Sequence, residues 1–222
     1  MKKAFILGAS QGIGLGLVKQ FLQEGYQVVA SSRSGHIEAV SSAHLKVVAL
    51  DVTKPDQISR LASRFQQEQQ SFDVWINNAG IGPDLNQARP DYQSFRTTLA
   101  VNLEGIIFAT EQLLPFLAEQ GILINVSSKM GSISNCERST SVAYRVSKAG
   151  LNMYNQVLAN RLPKGQKVAV VHPGFVRTHI STLNDHAPLS PEDSAARIYT
   201  FLQSDFETGA YWDCQENEAI AW

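Results

Sequence analysis

Cysteine is scarce: Cys136 and Cys214 are the only two in 222 residues. They form no C-x-x-C pair and supply no ligand cluster, so no metal site is expected. Free thiols in a reduced cytoplasmic compartment are the simplest reading, with a disulfide between the two left open. Charge is also sparse, at 18% of residues with a net of −1, which gives no electrostatic argument for a nucleic-acid partner or an anionic membrane. No apolar run approaches the ~20 residues that span a bilayer. The run after Lys2-Lys3 stops at Gly8, too soon for a secretory leader, and reads as a first strand. Repeats of solenoid period are missing, and so are linkers rich in Gly, Ser or Pro, which leaves one domain.

What is present is an alternation of short apolar runs and helical patterns. Lys3 to Leu7 is a strand, followed by a glycine turn and by Leu15, Val18, Phe21 and Leu22 at helical spacing. Further strands are expected at Tyr26–Ser32, Leu45–Leu50, Phe72–Ile76, Gly121–Ser128 and Lys167–Val171, with an edge strand near Gly209–Trp212. The Leu45–Leu50 run is apolar enough to read as buried on both faces. Helices are expected from Pro55, from Tyr92 to Ala118, around Tyr144 to Leu158, and from Pro191 to Leu202. This pattern predicts a single α/β domain, a Rossmann-type doubly wound sheet of about seven mostly parallel strands with helices on both faces.

Ligands of such sheets bind beyond the carboxyl ends of the strands. Six segments follow strand ends: Gly8 to Gly14, Arg33, Asp51, Asn78 to Gly80, Ser128 and Pro173 to Thr178. The topology therefore gathers them at one edge. Glycines between a strand and a helix let a diphosphate approach the free N–H groups of the helix start, although the spacing here is G-x-x-x-G-x-G. No acid ends the second strand to take a ribose 2′-hydroxyl; Ser31, Ser32 and Arg33 stand there, and an Arg suits a 2′-phosphate. A solvated surface Arg is the alternative.

Tyr144 and Lys148 are one helical turn apart, so both project from one face. An ammonium beside a phenol should favour the phenolate and lower a pKa of about 10, giving a usable proton donor and acceptor. Alone, the pair also describes an ordinary helix surface. Asn102 lies inside a helical pattern, where it requires either an exposed face or a specific partner. His172 and His179, flanking Pro173-Gly174, are read as hydrogen-bonded structural residues. Trp212 and Trp222 are expected to cover the core or an oligomer contact.

Taken in order, Gly8-Ala9-Ser10-Gln11-Gly12-Ile13-Gly14, Asn77-Asn78-Ala79-Gly80, Asn102, Ser128, Tyr144-x-x-x-Lys148 and Pro173-Gly174 resemble the short-chain dehydrogenase/reductase family over essentially the whole chain. The stretches Ser127 to Ile133 and Tyr144 to Ala149, with the short loop after Thr178 and Trp222, are most similar to its small carbonyl-reductase group that includes Sniffer and C-factor proteins. The resemblance implies an oxidoreductase interconverting a small-molecule carbonyl and its alcohol. Tyr144 would exchange the proton, Ser128 would bind the substrate oxygen, Lys148 would tune Tyr144 and hold the nicotinamide ribose, and Asn102 would help hold a relay water. Gly8, Ser10, Gly12, Ile13 and Gly14 would line the diphosphate, Arg33 the 2′-phosphate of NADP(H), favoured over NAD(H), and Asp51 and Val52 the adenine. Asn78, Ala79 and Gly80 would flank the adenosine side, with Pro173, Gly174, Val176 and Thr178 on the nicotinamide side. Family members are often homodimers or homotetramers, and monomers occur; C-factor relatives imply a signalling role as the alternative to catalysis. Three departures stand out: Leu7 replaces the Thr often found before the first glycine, Gln11 lacks a basic side chain, and Ser128 to Tyr144 is longer than usual, leaving Ser128 favoured over Ser127, Ser132 and Ser134.

Overall fold

The computed structural model describes all 222 residues and gives the order β1 (Lys3–Leu7), α1 (Gly12–Gln23), β2 (Gln27–Ser32), β3 (Leu45–Ala49), α2 (Pro55–Gln67), β4 (Phe72–Asn77) and α3 (Tyr92–Leu99). A π-helical turn (Ala100–Gly105) then leads into α4 (Ile106–Leu113), β5 (Leu117–Val126), α5 (Val142–Arg161), β6 (Lys167–His172), α6 (Pro191–Leu202), β7 (Ala210–Asp213) and β8 (Glu218–Ala219). The strands form one sheet in the order β3-β2-β1-β4-β5-β6-β7-β8. Every pairing is parallel except β7 with β8. This is the expected doubly wound architecture. The strand order reverses between β1 and β4, where a crevice must open beyond the strand ends.

Alternation along each strand feeds two cores. Ile6, Val28, Ile76 and Val171 join α1 and α6 on one face, while Phe5, Leu7, Trp75 and Leu123 join α2, α4 and α5 on the other. Local signals fix the helix starts: Pro55 opens α2, and Ser190 with Asp193 makes a capping box ahead of Pro191 in α6. Gly25, at φ +78°, stops α1 just past its C-cap.

Three details differ from the sequence reading. An eighth strand adds a short antiparallel edge, so β7 is internal. β3 is the opposite edge, and Leu45, Lys46 and Val47 are only half-buried, because an apolar run does not reveal whether it has a second neighbour. The long helix expected from Tyr92 to Ala118 is interrupted by the π turn, and chain beyond Leu113 passes through a short 3₁₀ turn (Leu114–Phe116) into β5, which starts four residues before Gly121. Of the two places expected for Trp212, core or oligomer contact, the core is the one observed: it stacks on Phe201 at 5.7 Å.

Candidate active site

At the end of β1 the chain turns at Gly8, with φ +83°, and a side chain there would place its Cβ 2.6 Å from the Ala79 backbone. A Cβ on Gly14 would sit 2.1 Å from the Gly8 carbonyl. Both glycines therefore let the turn press against the end of β4. The missing Thr before Gly8 is replaced by braces from elsewhere: Gly8 N–H donates to Ser31 Oγ at 3.1 Å, and Asn78 Nδ2 donates to the Gly8 carbonyl at 2.6 Å. No side chain caps the first turn of α1, since Gln11 makes no capping bond.

That open helix end faces a cavity of about 980 Å³ along the strand ends. Of the residues singled out from the sequence, Gly8, Ser10, Gly12, Ile13, Arg33, Asp51, Val52, Asn78, Ala79 and Gly80 line it. Tyr144, Lys148, Pro173 and Thr178 line it too, and β6 and α5 bring them there. Gly14, Asn102, Ser128, Gly174 and Val176 do not line it, whereas Ser127 does, and Ser128 is hydrogen-bonded to the lining residue Tyr144.

Tyr144 and Lys148 share the inner side of α5, and both are buried. Lys148 Nζ donates to the Val126 carbonyl at 2.9 Å and lies 5.6 Å from the centre of the Tyr144 ring. Ser128 Oγ accepts from Met130 N–H at 3.2 Å, and the Ser128 carbonyl accepts from the Tyr211 hydroxyl at 2.6 Å. Asn102, fully buried in the π turn, finds the specific partner its position requires. Its side-chain oxygen accepts from Ile81 N–H and its amide donates to the Ile81 carbonyl, each at 2.8 Å. The same amide reaches Ser147 Oγ at 3.2 Å, and Ser147 Oγ in turn donates to the Tyr144 carbonyl at 2.7 Å.

The family model for short chain dehydrogenases matches residues 2–188. The chain belongs to the short-chain dehydrogenase family. It is 34% identical over 186 residues to an uncharacterized oxidoreductase of Methylorubrum extorquens, covering 80% of this chain and 74% of that one. Among solved structures it resembles a short-chain dehydrogenase/reductase from Burkholderia multivorans with bound NADP, at TM-score 0.89 and 27% identity, covering 100% and 99% of the two chains. Carbonyl reductase Sniffer of D. melanogaster superposes over 100% of both chains, with TM-score 0.89 and 25% identity. The family is one of oxidoreductases that use a dinucleotide, and the residues of this chain fit one. The turn is kept clear by glycines whose Cβ atoms would fill it, and the α1 N–H groups at the cavity have no side-chain cap.

Electrostatics of the candidate site correct one expectation. Lys148 does not lower Tyr144: burial pushes the phenol up to about 12, against a hydrogen bond with Ser128, while the charges of Tyr211 and Asp84 act with burial. Burial alone brings Lys148 down to about 8. Each group loses the hydration of its charged form, and burial dominates both. Tyr144 is therefore a protonated acid at neutral pH. At Asp51, burial raises the carboxyl, but hydrogen bonds from Thr53 Oγ1 (2.7 Å) and N–H (2.9 Å) and the charges of Lys54 and Arg33 outweigh it. His172 is buried with Nδ1 unpartnered, not hydrogen-bonded as expected, and burial lowers it to about 4 despite Asp213.

The sequence reading missed three residues that shape the candidate site: Ser31 as a brace of the glycine turn, Tyr211 as a donor to Ser128, and Asp84 beneath α5. The last two act across loops, and no spacing pattern signals them.

Proposed function

We propose that this chain is an NADP(H)-dependent reductase that reversibly interconverts a small carbonyl compound and its alcohol, with Tyr144 as general acid and base. The observation that carries this reading is the shared cavity. Tyr144 and Lys148 line the same recess as the glycine turn and Arg33. Cofactor choice rests on the end of β2. Ser31 Oγ is taken by Gly8 N–H and Ser32 Oγ donates to the His36 carbonyl at 3.0 Å, so Arg33 is the side chain left to meet a 2′-phosphate. The NADP bound by the Burkholderia multivorans neighbour supports the same choice.

When bound, the cofactor would supply the hydride for the carbonyl carbon. Tyr144, protonated at neutral pH, donates its proton to the oxygen as negative charge develops there. The Ser128 hydroxyl gives that oxygen a second donor. Lys148, charged below about pH 8, returns a proton to the phenolate left behind and recovers one from solvent through water held near Asn102.

Two measurements test this. Tyr144→Phe should lower kcat on a panel of aldehydes and ketones by ~10²–10⁴-fold while NADPH binding, followed by fluorescence, stays near wild type. Unchanged turnover would overturn the assignment. Arg33→Ala should weaken NADPH about tenfold and leave NADH unaffected, since a charged contact is worth ~1.5 kcal/mol or more.

A further inference from the structure

Asp84 lies in the loop after β4, yet it is fully buried. Its Oδ2 accepts from the N–H of Ala143 at 2.8 Å and from the N–H of Tyr144 itself at 3.3 Å. These are first-turn N–H groups of α5, which a helix cannot pair internally. The N-cap position belongs to Ser141, but that residue is left-handed (φ 64°) and its side chain caps nothing. Ser141 instead holds the same loop: its Oγ accepts from Asn86 N–H at 3.1 Å, and its N–H donates to the Gln87 carbonyl at 2.9 Å. The cap of the helix that carries Tyr144 thus comes from a segment some sixty residues earlier in the chain. That segment continues directly from Asn78-Ala79-Gly80 on the cavity wall.

We propose that Asp84 is a positioning residue for Tyr144, capping α5 from the β4 loop and setting a carboxylate against the Tyr144 backbone. The inference rests on the reading of Tyr144 as the acid and base. The carboxylate complements the positive end of α5 and opposes the charge that would otherwise favour a phenolate. It also ties the loop that follows the dinucleotide-side residues to the backbone of the proton donor, so the two parts of the site are fixed to each other. Ser128, Tyr211 and Lys148 also face the phenol, but of these four groups only Asp84 bonds the Tyr144 backbone through its side chain.

Asp84→Ala and Asp84→Asn separate position from charge. Loss of the cap in Asp84→Ala should lower kcat by ~10–100-fold, the scale of an ångström-level misplacement, with NADPH affinity within about twofold of wild type. Asp84→Asn keeps an acceptor for both N–H groups. It should recover most of that kcat, and the alkaline limb of its pH–rate profile, which belongs to the coupled Tyr144 and Lys148, should move to lower pH. An unchanged kcat in folded Asp84→Ala overturns the inference, and so does an unmoved limb in Asp84→Asn. If Asp84→Ala fails to fold, the Asp84→Asn profile decides alone. Turnover unaffected by Tyr144→Phe would instead sink the underlying reading, so the two failures are distinct.

Discussion

The two faces of the sheet are held by different forces. On the α1 and α6 side, side chains such as Leu17, Val18, Phe21, Ile198 and Phe201 close over the strands, and the buried hydroxyl of Ser194 simply donates to the Pro173 carbonyl at 2.8 Å. On the α3 to α5 side lie all five buried asparagines, Asn77, Asn102, Asn125, Asn152 and Asn155, together with Lys148. Asn77 donates to Thr110 Oγ1 at 2.9 Å and to Asn125 Oδ1 at 2.8 Å; Asn125 passes the chain to Asn155 Oδ1 at 3.2 Å, and Ser127 Oγ donates to Asn152 Oδ1 at 2.7 Å. Apolar burial is non-directional and tolerates small rotations of a helix. Hydrogen bonds among buried amides do not, because a partner lost in a low dielectric leaves an unpaired group. The helix keyed in this way is α5, the one that carries Tyr144.

The two faces should therefore respond differently to mutation. Phe21→Ala on the dry face should cost about 3–5 kcal/mol in urea unfolding, the range for a buried aromatic, while the folded protein keeps its specific activity. Asn155→Leu should cost only ~1–3 kcal/mol, yet lower kcat. Unaltered kcat in Asn155→Leu would erase the contrast.

His172, on the α5 side of β6, sharpens it through pH. The unfolded chain takes up a proton near pH 6.5 and the folded site only near 4, so the folded state loses stability as pH falls through that window. The loss is roughly 3 kcal/mol at most, and wild type minus His172→Leu, followed by urea midpoints from pH 7 to 4, isolates it from the carboxylates. A difference that stays flat with pH would refute the burial argument.

Lys148→Met changes stability with the opposite sign. Between pH 8 and 10.5 the unfolded chain binds the proton that the folded site has released, so Lys148 is a net cost below about pH 8 that fades as pH rises to 10.5. Its removal should stabilise the protein at pH 7 by ~2 kcal/mol after the lost bond to the Val126 carbonyl is counted, and turnover should fall sharply. Destabilisation at pH 7 would mean the ammonium is better solvated than its burial implies.

Much of this was legible in the sequence, and the failures share a cause. Strand and helix periodicity gave the layers, and segments at strand ends, such as Gly8 to Gly14 and Asn78 to Gly80, converged because topology requires it. What local spacing does not carry is the identity of a distant neighbour. Lys46 and Val47 looked enclosed because a run of apolar residues does not say that β3 has one partner. Lys148 looked like a group that would lower Tyr144 because spacing gives proximity but not the burial that outweighs it. Asp84 reads as one more polar loop residue until α5 is laid across it.

Asn102 has one more consequence. By accepting from the N–H and donating to the C=O of the same residue, Ile81, its amide reproduces the pairing that a neighbouring strand gives a peptide. β4 ends at Asn77, but the chain beyond it is still read, four residues later, by a strand one side chain long. The π turn makes this reach available, because its one-residue surplus breaks the phase between α3 and α4 and leaves a side chain facing neither the sheet nor the solvent. Deleting one residue from Ala100–Gly105 would restore the phase, carry Asn102 about 100° around the axis, and leave Ile81 with an edge and nothing to pair it.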